Sequence, residues 1–385
     1  MGSTFRVSVK PELLSFAIKR SGYSIEGLVK RINERFRVKY FDTNYLKEVL
    51  EGKISPQYSD LKKIDTFIRR DIPFYFLEEP PDEKIFINFR KKHGEYSLDP
   101  DIEITLREYE YLREEIKQLI KDENISYVRD FPIYCVKDDP SKIGFEIRKR
   151  LKINDIDIKA IDSKDLFEYL RGEIERHTIF VFKDHLGYVL RGCIFLNDDL
   201  PALILINSTD DKNAEIFSLL HEFGHYLLNN EGIDAEDINL EEDRDVESWC
   251  NSFAYHVLMR EENEIKEGFY KENKDELFTP VRLKELSDKY KLSKYAFVFR
   301  FLNLGIIDFG EYHAFLNRFP YKQKTEDNAG GNYYYTNRDR LSRKFISIVY
   351  ENYQDKNISL HETYEYLGVR DNSRINQLLE ALKSE

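Results

Sequence analysis

The stretch Ile216–Asn229, IFSLLHEFGHYLLN, contains the pattern His-Glu-x-x-His. On an α-helix, His221 and His225 are four residues apart and lie on the same face, where two imidazoles can bind one metal ion. Glu222 is next in sequence to His221, where it can take a proton from a water molecule that the metal activates. The spacing is typical of zinc hydrolases.

The residues around this pattern predict that its helix is buried. Apolar side chains occupy most of its faces: Ile216, Phe217, Leu219, Leu220, Phe223, Tyr226, Leu227 and Leu228. Two histidines and a carboxylate in a buried helix need partners, because an unpaired buried polar group costs a few kcal/mol. A metal would satisfy all three, and the alternative is a core helix whose histidines bond to backbone or carboxylate groups.

A third ligand is expected on a later helix, and the chain predicts one over Val246–Met259. Its apolar residues recur with a helical period: Val246, Trp249, Cys250, Phe253, Ala254, Val257 and Leu258. Glu247 falls inside this apolar face, where a carboxylate must be paired or bound to a metal. Asp243 is the geometric rival, but it is interpreted as the residue that caps the helix start.

HEFGH followed by E-x-x-C-N-x-F-A, from Glu247 to Ala254, resembles the ImmA/IrrE family of zinc metallopeptidases. These bacterial and phage proteins cleave helix-turn-helix repressors. Members commonly continue Leu-Leu-Met-Pro, where this chain has Val-Leu-Met-Arg at 257–260. The resemblance implies that His221, His225 and Glu247 bind Zn²⁺ and that Glu222 is the catalytic base.

Length and composition place the chain among soluble globular proteins of two or three domains. It has 385 residues, of which 34% are charged and 41% hydrophobic. No apolar run reaches membrane-spanning length, and the start of the chain lacks a signal-peptide core. Three widely spaced cysteines (Cys135, Cys193 and Cys250) argue against a disulfide framework. We therefore expect a cytoplasmic protein without a membrane partner.

Charge is distributed unevenly along the chain. The net charge is −12, yet residues 1–70 hold 15 Lys and Arg against 8 Asp and Glu. A basic first module on an acidic body is typical of a DNA-binding head. The alternative is an ordinary solvated surface.

The first module reads as short helices and resembles the XRE-type helix-turn-helix domain that is often fused before ImmA/IrrE peptidases. The matching pieces are Pro11–Leu14, Gly22–Leu28, Pro56 with Leu61, Phe76–Pro81 and Asn88–Arg90. Between Ile32 and Thr43 the segment NERFRVKYFD is longer than a tight helix-turn-helix allows. On the third helix, Asn44 and Lys47 are the candidate DNA contacts. The alternatives are that Lys47 is only a solvated residue, or that the module docks a protein partner.

The segments around the metal pattern predict a small sheet and further helices. Strands are expected at Ile133–Val136, Thr178–Phe182, Leu190–Phe195 and Ala202–Ile206. The last of these resembles the strand that borders the cleft in the family, where it would hold a peptide by β-augmentation; a core strand of the sheet is the alternative. Helices are also expected at 281–307 and 341–382, with a polar linker at 320–332 between them.

We therefore predict an α+β fold, mostly helical, with a minimal zincin-like (gluzincin) domain. The expected divisions are a helix-turn-helix-like domain at 1–92, a connecting helix at 93–128, the peptidase domain at 129–275 and a helical region at 276–385. The predicted function is a zinc-dependent endopeptidase that acts on a repressor or similar regulator and has a possible DNA-binding module. The alternative is a transcription regulator or antitoxin-like protein whose zincin domain does not cleave proteins. A third possibility is a zinc enzyme that acts on a non-peptide bond.

Overall fold

The structure is a computed structural model, and its described residues are 5–70, 72–81, 99–122, 129–187, 190–196, 199–230, 240–259, 278–319, 339–369, 373 and 375. The chain divides into two compact units, Met1–Tyr111 and Leu112–Glu385. The described residues form mostly helices and one three-stranded sheet, so the predicted α+β, mostly helical class is confirmed. No helix in the described ranges combines the length and apolarity needed to span a bilayer.

The first unit is helical. Its helices are α1 (Pro11–Arg20), α2 (Ile25–Phe36), α3 (Thr43–Leu50) and α4 (Tyr58–Ile68), followed by a 3₁₀ turn (Ile72–Phe76) and the start of α5 (Pro100–Asp122). The Ser24 side chain accepts a hydrogen bond from the Gly27 amide at the start of α2, and Asp42 accepts one from the Tyr45 amide at the start of α3. The predicted starts of these helices are therefore formed by the expected kind of cap.

The second unit contains the strands β1 (Phe180–Asp184), β2 (Gly192–Phe195) and β3 (Leu203–Asn207), in the order β1-β3-β2. β3 pairs parallel with β1 and antiparallel with β2. Three of the four predicted strands therefore exist, each starting a residue or two later than expected. β3 is central rather than at an edge, so the idea that it accepts a peptide by β-augmentation is wrong, because both of its sides are already paired.

The predicted strand Ile133–Val136 is also wrong, because this segment is irregular in the structure. The Tyr134 amide donates to the Leu227 carbonyl at 3.0 Å. That carbonyl belongs to the last turn of the helix Lys212–Leu228, where the carbonyls have no partner within the helix. The segment thus caps a helix end instead of joining the sheet.

The helices of the second unit surround the sheet. They are α6 (Pro140–Arg150), α7 (Ser163–Glu175), α8 (Lys212–Leu228), α9 (Leu240–Leu258), α10 (Pro280–Tyr290), α11 (Lys294–Asn303), α12 (Phe309–Arg318), α13 (Arg343–Gln354) and α14 (Leu360–Leu367). The Asp162 side chain caps α7 by accepting a hydrogen bond from the Lys164 amide. α9 begins before Asp243, so that residue lies within the helix and the prediction that it caps the start is wrong. The predicted linker at 320–332 lies outside the described residues.

The core of this unit lies between α8, α9, α7 and the inner face of the sheet. The predicted apolar stripe of α9 is buried throughout, from Val246 at 8% exposure to Phe253 and Ala254 at 0%. α8 is buried over most of its length, as its composition predicts. These two helices pack closely at Gly224, where a Cβ atom would lie 3.3 Å from both Cα and Cβ of Cys250.

The region after the peptidase motif is joined to the core by a buried arginine. The Arg171 guanidinium on α7 is 1% exposed and donates to the carbonyls of Val181, Asp339 and Leu341. These bonds link α7, β1 and the residues that precede α13. Because Asp339 and Leu341 are distant in sequence from Arg171, these bonds join the chain just before α13 to the core that contains α7 and β1.

We expect Gly224→Ala to destabilise the protein and Gly172→Ala to stabilise it. An added methyl at 224 meets the backbone of Cys250, which can yield only if α9 moves, and overpacking of this kind costs about 1–3 kcal/mol. At Gly172, inside α7, no atom lies within 4 Å of the new Cβ, so the gain of up to about 1 kcal/mol in helix propensity is unopposed. Thermal unfolding of both variants measures the difference. Equal stabilisation by both would show that the contact between α8 and α9 is not a tight constraint.

Candidate metal centre

Three side chains converge between α8 and α9. Nε2 of His221 is 3.1 Å from Nε2 of His225 and 3.2 Å from Oε2 of Glu247, and Nε2 of His225 is 3.4 Å from Oε1 of Glu247. Within the described ranges, these residues are the group of His, Cys, Asp and Glu side chains whose geometry suits a metal ion, with one ligand atom from each within 4.8 Å of the others. The pairing of α8 with α9 thus brings together the three residues singled out in the sequence as ligands.

The distances fit a tetrahedral zinc site. Zinc binds imidazole nitrogen and carboxylate oxygen at about 2.0–2.2 Å, so two ligand atoms of a tetrahedral site lie about 3.3–3.5 Å apart. The observed separations of 3.1, 3.2 and 3.4 Å are close to these values. Two imidazole nitrogens and a carboxylate oxygen are also the donor types that zinc takes in catalytic sites with an open position. The residues present therefore fit the metal that the sequence motif implies.

Helix geometry and one amide side chain orient the histidines. His221 and His225 lie one turn apart on α8, and Glu247 lies in the middle of α9. Nδ1 of His221 is 3.2 Å from Oδ1 of Asn251, one turn beyond Glu247 on the same helix. Because an amide oxygen only accepts, this bond requires a proton on Nδ1, which leaves Nε2 as the nitrogen that would bind a metal. Sequence reasoning did not identify this partner of His221.

The charges of the three groups depend on one another. Burial by itself would raise the pKa of Glu247, but the hydrogen bonds with His221 and His225 hold it well below its ordinary value. Burial would lower the pKa of His221, but the hydrogen bond with Glu247 and the charge of Glu222 raise it. The carboxylate is therefore ionised at neutral pH, in the form that binds a cation. The Glu247 side chain is 42% exposed, against 15% for His221 and 7% for His225, so the site opens to solvent on the Glu247 side.

Glu222 is buried beside β2. A Cβ atom at Gly192 would lie 3.1 Å from Cγ and 3.2 Å from Oε1 of Glu222, so only glycine leaves the carboxylate undisturbed. Burial, and then the charge of Glu222, raise the pKa of the Cys193 thiol, which keeps that neighbour neutral. The strand that adjoins this carboxylate is β2, which sequence reasoning did not identify. The contact depends on the order of strands in the sheet, which cannot be derived from their order along the chain.

Three polar side chains that are close in sequence to the ligands contact other parts of the unit. The Tyr255 hydroxyl donates to the Ala296 carbonyl at 2.7 Å, and the Tyr226 ring packs against the Arg129 guanidinium at 3.9 Å. His256 lies against Gly144 on α6.

The two candidate DNA contacts lie in the first unit. Asn44 and Lys47 are both exposed on α3, as expected. The Lys47 ammonium is 3.7 Å from Oε1 of Glu26 on α2, in an exposed pair. Their role in binding DNA remains a prediction.

The fold and the site define a metallopeptidase-type domain, and comparison with known families agrees. Residues 174–302 match the profile of the Peptidase M78 family, described as the IrrE N-terminal-like domain. This part of the chain is therefore similar to the ImmA/IrrE-type metallopeptidases, which confirms the resemblance seen in the sequence. The match includes α8 and α9 and does not include the first unit, so the helix-turn-helix resemblance stays a prediction. No curated protein and no solved structure matches the chain significantly.

We expect Asn251→Ala to weaken metal binding roughly 10–100-fold, because removal of a group that orients a ligand imidazole typically has an effect of this size. Asn251→Asp is the matched control, since it keeps an oxygen acceptor for Nδ1 of His221. Competition for Zn²⁺ with a chelator of known affinity measures both. Equal affinities for Asn251→Ala and the wild type would show that the orienting bond is unimportant.

Proposed function

We propose that the chain is a zinc-dependent endopeptidase in which His221, His225 and Glu247 hold the metal and Glu222 is the catalytic base. The convergence of the three ligand atoms at separations of 3.1–3.4 Å carries the proposal. The M78 family match to this segment supports it independently. An intact Glu222 favours an active enzyme over a binding scaffold, because a scaffold has no need of the base.

A bound zinc ion would act as a Lewis acid on a peptide carbonyl and lower the pKa of a water molecule toward neutrality. The chain's own residues supply the rest of the chemistry. Glu222 accepts the proton of the attacking water on its carboxylate and then passes it to the leaving amide nitrogen. Its burial against Gly192 keeps bulk water from competing for that proton. Asn251 fixes the His221 ring so that its Nε2 stays directed into the site.

The proposed substrate is a helix-turn-helix repressor or similar regulator. This proposal rests on the ImmA/IrrE resemblance, since the site geometry sets the reaction type and not the protein that is cleaved. In this family such proteins often regulate mobile elements or stress responses, or belong to toxin–antitoxin-like pairs. We also place the protein in the cytoplasm, in keeping with three cysteines that are free in the structure.

We further propose that the first unit binds DNA. Support comes from its excess of 15 Lys and Arg over 8 Asp and Glu in residues 1–70, and from its short packed helices. Asn44 and Lys47 on α3 are the contacts predicted from sequence. Such a unit would bring the peptidase to DNA or to a repressor bound there.

We expect the wild-type protein to bind one zinc ion per chain and Glu247→Ala to lose it, because the variant leaves only two ligands. Asp245→Ala is the matched control, since it removes an exposed carboxylate from the same helix. Elemental analysis of protein purified without added metal measures the content. A wild-type protein that holds no zinc even after reconstitution would overturn the proposal.

We expect Glu222→Gln and Gly192→Ala to keep the zinc and lose cleavage. Glu222→Gln removes the base and should lower kcat by roughly 10²–10⁴-fold. Gly192→Ala pushes a methyl group against the same carboxylate and should lower kcat in the same direction, whereas Gly172→Ala should leave it unchanged. The readouts are zinc content and, by mass spectrometry, the cleavage rate of a repressor that the wild-type protein cuts. Full activity in Glu222→Gln would remove this residue from the mechanism.

A further inference from the structure

The segment that joins α2 to α3 is longer than a tight turn, and the structure shows how it is held. We call residues 35–40, RFRVKY, which comprise the last two residues of α2 and the start of the connection to α3, the α2–α3 segment. The Tyr40 hydroxyl donates to Oδ1 of the buried Asp60 at 2.8 Å. The side-chain amide of Asn33 donates to the carbonyl of Phe41, whose ring is fully buried. The segment is therefore fixed at its end, next to α3.

Three cations of this segment face solvent without a carboxylate. Arg35, Arg37 and Lys39 are all exposed, and the segment contains no acidic residue. Within the described part of the chain, none of the three forms an ion pair. Their charges are therefore not neutralised by the protein.

Other exposed lysines of the first unit do lie near carboxylates. Three of them face carboxylates: Lys30 faces Glu34 at 4.0 Å, Lys47 faces Glu26 at 3.7 Å and Lys53 faces Glu51 at 2.5 Å. A lysine that already neighbours a carboxylate gains less from a phosphate than an unpaired one. The predicted contact Lys47 is in this weaker position.

The α2–α3 segment lies against α4, which extends the cationic surface. The Phe36 ring packs edge-on against Phe67 at 6.4 Å. Lys62, exposed on α4, lies over the Tyr58 ring at 4.8 Å. Phe36 and Tyr40 remain 37% and 52% exposed, so aromatic faces are interleaved with the cations. Unpaired cations beside exposed aromatic rings suit a nucleic acid, which offers phosphates and base faces together.

We propose that the α2–α3 segment, with Lys62, binds the phosphate chain of a nucleic acid. The inference rests on the proposed DNA-binding role of the first unit and moves the principal phosphate contacts from Lys47 to Arg35, Arg37 and Lys39. Binding releases the counterions condensed on the phosphates, so it depends steeply on salt. It does not involve the metal centre.

The test compares two triple variants of the full-length protein with equal loss of charge. One replaces Arg35, Arg37 and Lys39 by Gln, and the control replaces Lys30, Arg31 and Lys53, each of which faces a carboxylate, by Gln. Fluorescence anisotropy measures binding to a mixed-sequence DNA duplex, and to one of its single strands, from 50 to 200 mM salt. The segment variant should bind DNA roughly tenfold or more weakly than the wild type. For the duplex, the magnitude of its slope of log K against log salt should be smaller by about 2–3. The control should stay close to the wild type.

The outcomes separate this inference from the proposed peptidase. Glu222→Gln should bind DNA like the wild type, because it alters only the catalytic base, so a failed peptidase test leaves this result intact. A wild type that binds neither DNA at 50 mM salt would overturn the inference. Loss of binding in the control but not in the segment variant would assign the contacts to the carboxylate-facing cations instead and overturn the inference. Equally tight binding of poly-L-glutamate, lost in the segment variant, would identify an acidic protein surface as the partner.

Discussion

The contact between α8 and α9 at Gly224 is the constraint on which the candidate site depends. Glu247 is one turn before Cys250, the residue that Gly224 touches, so the closeness of the two backbones sets how far the carboxylate lies from the histidines. A larger residue at 224 would separate the helices by tenths of an ångström, which is comparable with the tolerance of a metal–ligand distance. The glycine inside the HEFGH motif is thus part of the metal geometry although it offers no ligand atom.

Burial determines the protonation states and hydrogen-bond partners of the residues in the candidate site. The apolar faces of α8 and α9 remove water from His225 and Glu222, so each polar group must find a partner within the protein or on a metal. Asn251 provides this partner for one nitrogen of His221, and Glu247 faces both rings. Among the described residues, the exposed edge at Glu247 is a side from which a substrate could approach the site.

Features set by periodicity along one helix could be predicted from the sequence, and features set by the arrangement of several elements could not. The spacing of His221 and His225 and the place of Glu247 in an apolar face follow from 3.6 residues per turn. The role of Asn251 depends on how α9 is rotated against α8, and the position of β3 depends on sheet order, which the chain does not encode locally. The start of α9 shows the same limit, because an acidic residue near a helix start can cap the helix or lie within it, and Asp243 lies within α9. The strand predicted at Ile133–Val136 does not form for a related reason. The backbone of this segment bonds to the end of a helix rather than to another strand.

The buried guanidinium of Arg171 has a consequence for where the catalytic unit ends. Its acceptors include the carbonyls of Asp339 and Leu341, far beyond residue 302, where the family match stops. A fragment cut at that point would remove two of the three carbonyl acceptors of a guanidinium that is 1% exposed, and a lost hydrogen bond to a charged group costs about 1.5–3 kcal/mol. A fragment that keeps the full stability of this unit therefore has to extend past Leu341, well beyond the residues that match the family.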